Sequence, residues 1–395
     1  MELDNNPYTP GASRLPAAFV GRQKELDLWA GSLRRIENGR DARPLALSGL
    51  RGMGKTVLLT HFAQTAQENQ WLVAQVEAGS GKALRQLIAE QFQAQLGEIA
   101  RGGFGQRTAT ALKTLLSFAK ISVDMTGNWT FGVDVSNAPG GGADTGILEA
   151  DLGLLIKDLT RLATERKIGV ALLVDEAQLL TKDETQAFCQ ILQANQRAQT
   201  PLMVALTGLP NLPLTLAKGR TYAERLFDYH DIGSLTPAES AAALAQPATQ
   251  EGVTWDDGAA NLVLDAAGGY PYFIQQFGSD TWSAAQQSPI SIHDARVGLA
   301  TGIASLDRGF YRSRWERATP AEQNYLIAMA VDGDRGSTTA DVAARLGKTQ
   351  SAVSQRRSAL ISKGLIFAAT QGRISFSVPA MGEFIVRQQQ SGAAT

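Results

Sequence analysis

The chain of 395 residues is long enough for two or three units, each with its own core, and too long to be one small domain. It carries 37 Lys and Arg against 38 Asp and Glu, a net charge of −1, with 19% charged and 44% hydrophobic residues. These totals fit neither a basic nucleic-acid tail nor a disordered acidic chain, and the single cysteine, Cys189, excludes an intramolecular disulfide framework and a cysteine-rich zinc site.

The first seven residues lack the basic and apolar regions of a signal peptide, and the longest apolar run, at 170–174, is far short of a membrane span. With the lone cysteine, this reads as a cytoplasmic protein without a membrane partner. Short apolar runs at 44–48, 71–76, 168–174, 202–207 and 229–235 alternate with longer helical patterns, which predicts an α/β fold with a parallel sheet covered on both faces. About ninety residues separate the second and third runs, too many for one crossover, so an insertion is expected there. Within it, residues 121–135 alternate apolar and polar positions around Gly127-Asn128 and read as a β-hairpin near 120–136. That hairpin is either surface decoration or, through Trp129 and Phe131, a contact element for DNA or a neighbouring subunit.

From 236 to about 285 the pattern is helical and alanine-rich, and a stretch from 288 to 320 separates it from a C-terminal module. The module reads as helices at 321–331, 339–346 and 349–363, followed by strands at 365–368 and 374–377 around Gln371-Gly372. The pattern resembles a helix-turn-helix with a wing. Gln350, Ser351, Ser354, Gln355 and Arg357 would face phosphates or base edges in a DNA major groove, with Arg356, Lys363 and Arg373 on the backbone; docking to a protein is the alternative. Eight basic and five acidic residues from 321 onward leave +3, enough for modest, salt-sensitive DNA affinity. The expected organisation is a core at 1–235, a helical lid and linker at 236–318 and the winged helix at 319–395.

Two motifs carry chemistry. Gly49-Leu50-Arg51-Gly52-Met53-Gly54-Lys55-Thr56 matches G-x-x-x-x-G-K-[ST] at every fixed position, between an apolar strand and a helical pattern. Gly49, Gly52 and Gly54 would let backbone N–H groups close around the phosphates of ATP, Lys55 would reach the β- and γ-phosphates, and Thr56 would hold Mg²⁺. The run at 170–174 ends in Asp175-Glu176, with Asp175 placed to complete the Mg²⁺ shell and Glu176 to act as general base. Taken alone, that acidic pair also suits a solvated helix N-terminus. His61, His230 and His293 are scattered without ligand spacing.

Together the loop, the acidic pair and the strand between them resemble P-loop NTPases with an additional strand and a catalytic Glu. More narrowly, the chain resembles AAA+ and STAND-type ATPases, the origin-recognition-like members with a C-terminal winged helix, over nearly its whole length. Phe19-Val20-Gly21-Arg22-Gln23-Lys24-Glu25-Leu26 is similar to that family's motif before the first strand, which implies adenine contacts through Val20 and Gly21. The resemblance implies that Thr207 faces the terminal phosphate and that Arg225, with Arg220 in reserve, is an arginine finger acting in the same chain or across a subunit interface. The alternative for Arg225 is a surface ion pair with Glu224 or Asp228. Gly268-Gly269-Tyr270-Pro271 resembles the G-x-P motif of STAND ATPases, which implies Pro271 near the adenine; a helix-start proline is the plain reading. No Arg or Lys occurs at 273–277, so the lid arginine of AAA+ motors is missing. That departure favours a slow, nucleotide-dependent switch acting on DNA, a protein complex or a homo-oligomer, with a DNA-binding regulator of little turnover as the alternative.

Overall fold

The structure is a computed structural model that describes residues 3–11, 14–102, 105–119, 140–220, 222–370 and 372–392. The expected hairpin lies outside the described residues.

Five parallel strands form the central sheet: β1 (Leu45–Ser48), β2 (Leu72–Glu77), β3 (Val170–Asp175), β4 (Leu202–Gly208) and β5 (Asp228–Asp231), in the order β2-β3-β4-β1-β5. Every residue of β1, β3 and β4 is buried, because helices cover both faces and an uninterrupted apolar run is what such strands require. In the sheet β4 separates β1, which leads into the glycine loop, from β3, which ends at Asp175.

Helices α1 (Gln23–Glu37) and α2 (Lys55–Glu68) cover one face, joined by the stacked rings of Trp29 and Phe62 at 4.7 Å and by the Trp29 indole N–H to Phe62 O at 2.9 Å. The other face is covered by α3 (Leu84–Gly102), α4 (Gln106–Ala119), α5 (Leu148–Arg166) and α6 (Lys182–Ala198), with Phe92, Leu112, Leu155 and Phe188 fully buried against β2, β3 and β4. The first three of these form the insertion. Its helices amount to a structural layer rather than a loop. α7 (Leu212–Gly219) and α8 (Ala223–Leu226) close the crossover from β4 to β5.

The sequence places the fifth strand at 229–235, but β5 ends at Asp231. Beyond it Ile232 N–H still donates to Ser48 O at 2.6 Å, whereas Leu235 N–H donates to Gly269 O at 2.8 Å, so the chain has already turned into the next layer. That layer consists of α9 (Pro237–Gln250), α10 (Asp257–Ala267), α11 (Pro271–Ala284) and α12 (Ile292–Ser305). The stretch from 288 is therefore helical as well. Ser291 and Asp294 form a capping box that starts α12, and Gly298 and Gly302 allow it to lie directly on Thr281 and Phe277 of α11.

A π-helical turn, Leu306–Tyr311, continues α12 into the short α13 (Arg312–Glu316). The C-terminal module then contains α14 (Pro320–Ala330), β6 (Ser337–Thr338), α15 (Thr339–Arg345), α16 (Gln350–Ser362), β7 (Ile366–Thr370), β8 (Arg373–Phe376) and α17 (Met381–Gly392), with sheet order β6-β8-β7. The three helices and the hairpin correspond to those read from sequence. β6 and α17 are additional, and α17 packs its Phe384 ring against Tyr311 at 5.3 Å.

Candidate functional site

The glycine loop leaves β1 and enters α2 at Lys55, so its N–H groups gather at a helix N-terminus. Gly49 passes so close to the β5 end that a Cβ there would lie 2.3 Å from Ile232 O. At Gly52, φ is +83° and a Cβ would lie 2.5 Å from the Tyr270 hydroxyl. Lys55 is buried, and its Nζ donates to Gly49 O and Leu50 O, each at 2.8 Å. Burial pushes its ammonium down to about 8 despite the opposing charges of Asp175 and Glu176.

Asp175 is the hub of the carboxylate end of the sheet. Its Oδ2 accepts from Thr56 Oγ1 at 2.5 Å, and its Oδ1 accepts from Thr207 Oγ1 at 2.6 Å and from Glu176 N–H at 2.8 Å. Thr207 is thus buried behind Asp175 and does not line the cavity. Glu176 adopts φ +50°, and its carboxylate is held by both Arg51 Nη atoms at 3.1 and 2.9 Å and by Gln178 Nε2 at 2.7 Å. Glu77 lies opposite Asp175 in the β2–β3 register, and burial followed by the charges of Asp175 and Glu176 raises its carboxyl above the ordinary range.

A cavity of about 550 Å³ opens above these groups, a size that holds a nucleotide-like ligand. One end is lined by Gly52, Gly54, Lys55, Thr56, Asp175 and Glu176; the other by Phe19, Val20, Pro271, Tyr272 and Gln275. Phe19 lies against the His61 ring at 4.3 Å. Arg22 is buried and bridges the elements, donating to Gly21 O at 2.9 Å, Met53 O at 3.2 Å and Gly233 O at 2.6 Å. Gly21 and Gly49 shape the walls without lining the cavity.

Some participants were not foreseen from sequence. The N-terminal segment reaches the apolar end through Thr9, whose N–H donates to Gln275 Oε1 at 3.0 Å, and it is anchored by Tyr8 Oη to Leu244 O at 2.5 Å. Nothing in its composition signals this. Arg51 stands at a variable position of the loop motif, and Arg314 comes from the connector between α12 and α14, yet both line the cavity. The Arg51 N–H also donates to Ser377 O of the C-terminal module at 3.1 Å.

The structure does not bring Arg225 or Arg220 to the cavity. Arg225 is exposed on α8, and Arg220 pairs with Glu149 at 3.3 Å. In the C-terminal module Gln355 is exposed and Arg356 and Arg357 are half-buried on α16. Lys363 instead pairs with Glu322 at 2.6 Å, and Arg373 donates to Arg335 O at 3.2 Å and Gly336 O at 3.0 Å.

Residues 18–205 match the AAA ATPase domain. The matched stretch holds the glycine loop, Asp175 and Glu176, and residues 308–385 match a domain of unknown function (DUF8462). The chain is similar to the Walker-type ATPase PABY2304 of Pyrococcus abyssi, with a TM-score of 0.58 at 14% identity over 93% of this chain and 96% of that one. At such identity the likeness is one of fold: an α/β P-loop NTPase with a helical layer. Lower similarity is found to the ORC1 protein of Aeropyrum pernix in complex with DNA (TM-score 0.46, 15% identity, 96% of each chain). The RuvB Holliday junction branch migration motor of Thermotoga maritima gives a TM-score of 0.43 at 15% identity over 90% of this chain and 92% of that one. No curated protein matches the sequence. Among the described residues, no helix is long and apolar enough to cross a membrane.

Proposed function

We propose that this AAA-type domain binds ATP with Mg²⁺, hydrolyses it slowly, and uses the nucleotide state to control the C-terminal module, read as a winged helix acting on DNA or a protein complex. Arg51 is the observation that carries this reading. Its side chain holds the carboxylate placed to activate water, and its backbone N–H binds the C-terminal module at Ser377 O. A phosphate entering the loop meets a residue bonded to both.

Thr56 and Asp175 suit Mg²⁺: a hydroxyl and a carboxylate oxygen 2.5 Å apart at the phosphate end of the cavity are the hard donors that ion takes alongside substrate phosphates. The ion would supply charge neutralisation to the β- and γ-phosphates. The chain's own groups do the rest. Loop N–H groups and Lys55 bind phosphate, Thr207 orients Asp175, and Glu176 accepts a proton from water once Arg51 releases it. The base would lie between Val20 and Pro271. Arg225, exposed and outside the cavity, suits a finger offered to a second copy better than one acting in its own chain.

Phosphate release from ATP and Mg²⁺ by the full chain tests the reading, and a rate no higher than buffer would overturn hydrolysis. The engagement of both Glu176 oxygens favours the second reading, a nucleotide-holding DNA-binding regulator of little turnover.

For the C-terminal module, internal ion pairs take up Lys363 and Arg345, so the DNA surface reduces to the exposed Lys348, Gln350, Ser354 and Gln355 with Arg356 and Arg357 beside them. Arg356→Ala is expected to weaken retention of duplex DNA at low salt several-fold and to lower the salt slope by about one, whereas Arg373→Ala leaves both unchanged. No retention by the unaltered chain would assign the module to protein docking.

A further inference from the structure

Arg314 belongs to the connector between the helical layer and the C-terminal module, yet it lines the cavity beside Arg51, Gly52 and Lys55. Its guanidinium lies 3.9 Å from the Phe310 ring centroid, and its Nη1 donates to Phe310 O at 2.5 Å. Phe310 in turn stacks on Tyr272, centroids 4.9 Å apart. The aromatic pair holds the cation in place without neutralising it.

No carboxylate among the described residues pairs with Arg314, although charges nearby are matched: Arg312 with Glu316 at 3.5 Å, and Asp307 with Arg387 at 2.7 Å. Burial holds its guanidinium below the usual range, and the like charge of Arg51 adds to that. A half-buried cation beside a second cation favours an anion between them. The place is specific, because Arg51 also touches Glu176, which marks this end as the one where the outermost phosphate would lie.

We propose that Arg314 binds the terminal phosphate of a nucleoside triphosphate, supplying from the connector the cation that α11 lacks at 273–277. The inference rests on the nucleotide-binding reading above. It also gives the connector a mechanical role. The π-helical turn before Arg314 carries Tyr311, whose hydroxyl donates to Pro379 O at 3.1 Å and whose ring stacks on Phe384 of α17. Movement of Arg314 onto a phosphate therefore pulls on the C-terminal module through groups already bonded to it.

Calorimetric titration of the full chain with a non-hydrolysable ATP analogue and with ADP, both with Mg²⁺, tests this. Arg314→Ala is expected to weaken the analogue about tenfold or more while ADP stays within about twofold, and Arg314→Lys to recover part of the loss. If the alanine variant melts early, Arg314→Gln, which keeps a shorter polar side chain without the charge, is read in its place. Equal weakening of both nucleotides, or of neither, would overturn the assignment. Failure of the unaltered chain to bind either nucleotide would instead sink the nucleotide-binding reading itself.

Discussion

Glu176→Gln is expected to lower the rate of ATP hydrolysis by about 10²- to 10⁴-fold while leaving ATP affinity within a few-fold. The amide has nearly the shape of the carboxylate and cannot take a proton from water. Its neighbours at the sheet edge are untouched, since Asp175 keeps its bonds to Thr56 and Thr207. The Arg51 ion pair is lost, but both partners are partly exposed, so little fold stability goes with it. Steady-state phosphate release at saturating ATP, with binding measured separately, provides the check. A variant as fast as the unaltered chain would remove Glu176 from the chemistry and leave the nucleotide-holding regulator as the reading.

The second large effect belongs to Lys55. Lys55→Ala removes a buried ammonium whose present partners, Gly49 O and Leu50 O, are only backbone carbonyls, and a phosphate is the stronger acceptor. A lost charged hydrogen bond is worth about 2–3 kcal/mol, roughly 30- to 150-fold in ATP affinity. The same residue sets a pH dependence. Burial has pushed its ammonium down to about 8, and a bound phosphate stabilises the charged form and raises that value again. Binding therefore takes up a proton between the two values, and affinity is expected to fall as pH rises above about 8. Calorimetry in buffers of different ionisation heat reads the proton directly. The alanine variant should show neither the uptake nor the slope.

These two residues were visible in the sequence because their surroundings are local. Gly52 and Gly54 at positive φ, the turn into α2 and the acids after an apolar strand all lie within a few residues of the group they place. Patterning also located four of the five strands to within two residues, since a strand buried on both faces must be continuously apolar. It overextended the fifth, where burial continues after the hydrogen-bond ladder has ended and the chain has turned toward Gly269. The placement of charge in the C-terminal module was likewise not legible in the composition. Composition counts +3 from 321 onward, but Lys363, Arg345 and Arg387 face Glu322, Asp332 and Asp307 in the folded chain.

By itself, then, the sequence determined the parallel α/β core, the phosphate loop with its acidic strand end, and the helices and hairpin of the C-terminal module. Each of these follows from periodicity or from glycine and helix-terminus geometry acting over short stretches. Only the tertiary structure decided that Arg51 clamps Glu176 from 125 positions away, that Thr207 lies behind Asp175, and that Arg314 and the N-terminal segment close the cavity. The physical reason is desolvation. A cation or carboxylate acquires its partner and its proton affinity from what excludes water around it, and that is set by elements distant in the chain which meet only when it folds.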